Sequence, residues 1–208
     1  MIRRPTLLIV LAAIATMISA AHAHHVGSYV PRDNPVSANF KQIKFSVQAG
    51  KFDVARRLFD EGALRREMQK QAPTLPPGLE ASIRGALDAR DARTAEAGLM
   101  IFFAALVRGL ALEADRQLAD ATAPAAARVA GGGKMLEAIW RYYNLVDFAV
   151  SQRDPTAATA VRLAFEEAEG YVKAPTPSPE RMRPPLVRIA RVLAGVIEAS
   201  SPSARRDS

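Results

Sequence analysis

From Phe40 onward the apolar residues recur at three- and four-residue spacing, the period of an α-helix, and nowhere do they alternate over a strand's length. Phe40, Ile43 and Val47 mark one face of a short helix that stops at Gly50. Asp53 can cap a second helix carrying Ala55, Leu58, Phe59 and Gly62, whose apolar stripe ends near Leu64. Residues 65–71 look solvated, and residues 74–78 form a break next to Pro73. Leu79, Ile83 and Leu87 define another helix face. Asp91 follows a polar turn and opens a long helix to about Ala119. A break at residues 122–124 and the glycine triplet 131–133 precede a third pair. Met135, Ile139, Tyr142 and Val146 face one way, and Asp154 with Pro155 supplies a cap and a first-turn proline for Val161, Ala164, Phe165 and Ala168. The expected fold is therefore all-α: an irregular helical bundle of about three αα-hairpins plus a C-terminal amphipathic helix.

The segment from Ala49 through Gly50, Lys51, Phe52, Asp53 and Val54 to Ala55 resembles the turn between the two helices of a tetratricopeptide repeat. Such a resemblance would imply stacked helix pairs. The opening aspartates Asp53, Asp91 and Asp154 lie 38 and 63 residues apart, however, and a solenoid needs a fixed period. An irregular bundle fits better.

The ends of the chain change the picture. Arg3 and Arg4 precede an apolar run over residues 7–20, and Ala21, His22 and Ala23 supply a small-x-small cleavage pattern. The expected organisation is a signal peptide over residues 1–23, a tether over 24–37, a helical domain over 38–173, a proline-rich linker over 174–185, a C-terminal helix over 186–199 and a tail over 200–208. Export places the protein in the periplasm or outside the cell. Cleavage leaves 185 residues, and the net charge falls from +7 to +5 with the two leader arginines. Basic residues are interspersed with acids, so nucleic-acid binding is not expected. Alanine forms about a fifth of the chain and aromatics are sparse, which suits helices packed closely through small side chains. There is no cysteine, which removes thiol catalysis, thiolate metal sites, disulfides and lipid attachment at a cleavage-site cysteine. Residues 98–112 carry one charge, Arg108, and are too short and interrupted to span a bilayer, so no transmembrane helix is expected after cleavage. Arg108 then needs a partner such as Glu137 or Asp147, or a route to solvent.

The segment with the densest chemistry runs from Glu137 to Phe148 and holds the single tryptophan. Trp140, Tyr143, Asn144 and Asp147 share one flank, where amphipathic rings beside polar groups suit a ligand or partner contact. Trp140 itself is expected to be mostly buried, with the polar edge of the hairpin making the contact. Glu166 and Glu169 lie at i, i+3 and are a candidate carboxylate pair for a hard cation. His24 would become the new N-terminus, and its amine and imidazole, next to His25, form a nitrogen-donor set suited to copper(II). No other cofactor is expected. The folded part lacks a histidine base, so hydrolytic catalysis by an activated serine is unsupported, and Gly131–133 lacks the spacing of a phosphate loop. The first reading is an exported, non-enzymatic helical protein that binds a protein or envelope component. In that reading the C-terminal helix, with Arg188 and Arg191 on its polar side, can also contact an anionic membrane surface. The second reading is an envelope metal-binding protein using His24, His25, Glu166 or Glu169.

Overall fold

A computed structural model describes residues 32–200. Among these residues there are eight α-helices and no strand: α1 (Pro35–Gln48), α2 (Phe52–Glu61), α3 (Ala63–Lys70), α4 (Leu79–Asp88), α5 (Ala92–Ala119), α6 (Ala125–Arg153), α7 (Pro155–Val172) and α8 (Pro179–Ser200). The last four form an antiparallel bundle in which each helix packs on the next and α8 closes the ring against α5. Short connections at residues 120–124, 154 and 173–178 enforce the up-down-up-down order. Helices α1–α4 form a smaller layer on the N-terminal half of α5, through α4 and α1. One continuous core joins both parts, running from Phe40 and Phe59 through Phe102 and Phe103 to Phe165 and Leu193.

Three of the eight helix starts carry a side-chain cap. Asp91 accepts from the Thr94 N–H, and Asp154 accepts from the Ala157 N–H with Pro155 at the first position. Asn34 and Ser37 form a reciprocal capping box, which starts α1 at Pro35. The tether expected to reach residue 37 therefore ends before it. Its residues 24–31 and the expected signal peptide lie outside the described residues. Lys51, not Asp53, precedes α2, and Asp53 sits in its first turn, where a carboxylate meets the positive end of the helix. Gly50, at φ 70°, makes the preceding turn possible.

Two segments expected to be irregular are helical, and a third, expected to be solvated, is a helix that buries two side chains. Residues 65–71, read as solvated, fall mostly in α3, which buries Leu64 and Met68 through a stripe of only two apolar positions. The break between α2 and α3 is held by the buried Asn39 side chain. Its amide donates to the Leu58 carbonyl at 3.0 Å and its oxygen accepts from the Leu64 N–H at 3.0 Å. The glycine triplet lies inside α6, where the helix is closely packed: a Cβ on Gly132 would sit 3.1 Å from Met182 and one on Gly133 3.1 Å from Val172. The expected linker 174–185 is half helix. Pro179 begins α8, and Pro184 and Pro185 lie within it, each removing a hydrogen bond from the ladder. Burial of Met182, Pro185, Leu186, Ile189 and Leu193 holds the helix together across the gap. Ser200, expected to start the tail, is the last residue of α8 and buried, and residues 201–208 lie outside the described residues.

Candidate functional site: a groove between α1, α5 and α6

The α6–α7 hairpin uses its aromatic residues for packing. Trp140 is 8% exposed, and its ring lies 4.5 Å from that of Phe165. Tyr143 is 0% exposed, and its hydroxyl donates to the Ala158 carbonyl at 3.4 Å. Burial, reinforced by the negative charge of Asp147, pushes the Tyr143 phenol well above its ordinary pKa. Asp147 receives two hydrogen bonds from the Arg162 guanidinium, at 2.9 and 2.6 Å, which tie α6 to α7. Of the four residues singled out on this flank, Asn144 alone is exposed. The two rings are core groups, as the helical period of α6 requires: its buried line passes through Leu136, Ile139, Tyr143, Val146 and Val150. Arg108 is half-buried, and Asp147 is already engaged by Arg162.

The opposite side of α6 is open. Between α1, the first turns of α5 and the last turns of α6 lies a cavity of about 460 Å³. Its floor is apolar, made by the buried Phe40, Leu99, Met100 and Val146 together with Leu145 and Ala149. Lys44 of α1, Arg93 of α5 and Arg153 of α6 stand on its walls, against one acid, Glu96. Phe148 lines the groove and is 72% exposed. Phe148 differs from a singly scattered surface residue because it adjoins the apolar floor. Helix geometry makes Phe148 and Gln152 neighbours, and Phe45 and Gln48 likewise. Phe45 is 64% exposed, and both glutamines line the groove. Phe148 is thus the exposed phenylalanine of the groove, and Phe45 lies on α1 outside its lining. The sequence held a usable signal for Phe148: it falls off the Ile139–Tyr143–Val146–Val150 line, so an apolar residue there has no core to enter.

The metal expectation is corrected. Among the described residues no group of three or more His, Cys, Asp or Glu side chains converges on a point that could hold an ion. Glu166 is exposed, whereas Glu169 is 5% exposed and pairs with Lys173 at 2.9 Å, so the two carboxylates serve different surroundings. The copper(II) reading finds no support in any cluster, and His24 and His25 lie outside the described residues.

The C-terminal helix spends its apolar face inside the bundle. Arg188 of α8 pairs with Glu167 at 2.8 Å, and Arg191 is exposed. One described helix, α5, is long and apolar enough to cross a membrane by length and composition, and 67% of its most apolar window is buried within the bundle. No protein-family model matches the chain, and neither curated proteins nor solved structures give a match.

Proposed function

We propose that this protein is an exported, non-catalytic helical module that binds a protein partner through the α1/α5/α6 groove. The observation that carries this reading is the pairing of an apolar floor with Phe148 standing 72% exposed at its edge. Exposed aromatic anchors beside pockets are the usual hot spots of protein interfaces. The amino-terminal pattern of positive charge, apolar run and small-x-small site supports export. Asp147 and Arg162 support the surface indirectly by locking α6 onto α7, so that the exposed edge of α6 is presented from a rigid element.

A photo-crosslinking side chain installed at Phe148, and separately at Leu163 on the exposed side of α7, tests the reading in the cells that make the protein. The expected result is a discrete protein adduct from position 148 and none from position 163. The same adducts from both positions, or none from position 148, would refute a groove-directed contact.

A further inference from the structure

We infer that the occupant of the α1/α5/α6 groove is an acidic amphipathic helix of the partner, with its apolar stripe on the groove floor and its carboxylates toward Lys44 and Arg93. This rests on the groove being the binding surface. Two features of the walls select that occupant.

The first is charge. Three cations, Lys44, Arg93 and Arg153, face a single acid, Glu96, around an otherwise apolar channel. Lys44 and Arg93 form no salt bridge among the described residues, and Arg93, though it also acts on the nearby Asp91 carboxylate, remains within reach of an incoming one. A surplus of one sign on an apolar rim speeds encounter with a partner of the other sign and penalises like-charged competitors. The second feature is extent. Phe148 carries the apolar surface past the floor, next to Gln152. A single acyl chain lying on the floor would leave the Phe148 ring in water. A helix laid along the channel can set its own leucine-type stripe against the half-buried Leu145 and Ala149 while one shoulder covers the Phe148 ring. Alternation of an apolar face with acidic flanks is then the pattern the groove reads.

The test uses protein purified from its own envelope fraction and two synthetic helix-forming peptides. Both carry leucines at i, i+3, i+4 and i+7; one bears glutamates on the flanks and the other lysines. Palmitate serves as the acyl-anion probe. Fluorescence anisotropy should show saturable binding of the glutamate peptide at least about tenfold tighter than the lysine peptide, the scale of one well-placed interaction. Phe148→Ala should weaken it by about tenfold with an unchanged circular dichroism spectrum, since losses of this size follow truncation of an anchor ring. The double change Lys44→Glu and Arg93→Glu should reverse the preference between the peptides. Equal affinities for the two peptides would overturn the inference, as would binding indifferent to Phe148→Ala. Palmitate displacing the glutamate peptide would assign the groove to lipid, and dimerisation of the protein abolished by Phe148→Ala would assign it to a second copy. Either result overturns the acidic-helix occupant, whereas loss of the Phe148 crosslink alone would count against the groove as a contact surface.

Discussion

Replacing Trp140 with alanine separates the packing role of the α6–α7 hairpin from any surface role. A tryptophan buries roughly 200 Å² of surface, and at about 25 cal/mol per Å² the 8% exposed Trp140 contributes on the order of 4–5 kcal/mol. The unfolded chain already hides part of that area, which lowers the figure to about 3–4 kcal/mol. Loss of the offset contact with Phe165 at 4.5 Å and the cavity left behind act in the other direction. Trp140→Ala should therefore cost about 3–5 kcal/mol. In a chain of this size that corresponds to a fall in Tm of about 6–20 °C. Urea unfolding followed by far-ultraviolet circular dichroism measures the loss. Because Trp140 is the only tryptophan, the wild-type emission should also be blue-shifted and resist aqueous quenchers. A cost below about 1 kcal/mol, the level of an ordinary surface change, with readily quenched emission, would refute the packing argument.

Asn39→Ala removes both bonds that bridge α2 and α3 and strands the Leu58 carbonyl and the Leu64 N–H. It should cost about 1–3 kcal/mol in urea unfolding, the penalty for the buried Leu64 N–H left unpaired, with less added by the half-buried Leu58 carbonyl. Gly98→Ala places a Cβ 2.4 Å from Cγ1 of Ile83, so crowding should outweigh the helix-propensity gain and destabilise by about 1–2 kcal/mol. The double variant with Ile83→Ala should show that the two changes are not additive in the same unfolding experiment. Tyr143 has a raised folded pKa, so the stability it contributes is intact below the unfolded tyrosine value of about 10 and is lost as pH rises past it. Urea midpoints measured on both sides of that value should fall on the alkaline side, and Tyr143→Phe should flatten the fall.

Where sequence and structure agree, local chemistry decides the outcome. Asp91 and Asp154 each open a helix with a bond to the third residue on, and the Leu79–Ile83–Leu87 stripe is buried as its spacing requires. Where they differ, a distant partner decides. Gly132 and Gly133 look like a break locally but pack closely on Met182 and Val172 within α6. Pro184 and Pro185 look like a linker, yet the apolar face around them is buried strongly enough to keep α8 continuous. The candidate site shows the same division. The richness of the Trp140–Phe148 segment is legible, but which of its rings are inside depends on the phase of the buried line through α6. That phase puts Trp140 and Tyr143 in the core and Phe148 outside. The groove itself was not legible, because Lys44, Arg93 and Arg153 come from three helices and meet only through the fold.

Native and denaturing mass spectrometry of the protein recovered from its own envelope fraction tests the central claim most directly. The denatured mass should correspond to a chain beginning at His24, and the native spectrum should show a protein adduct of defined mass that is lost in Phe148→Ala. A chain that retains residues 1–23 and stays in the cytoplasm, or an adduct undiminished by Phe148→Ala, would contradict an exported module binding through this groove.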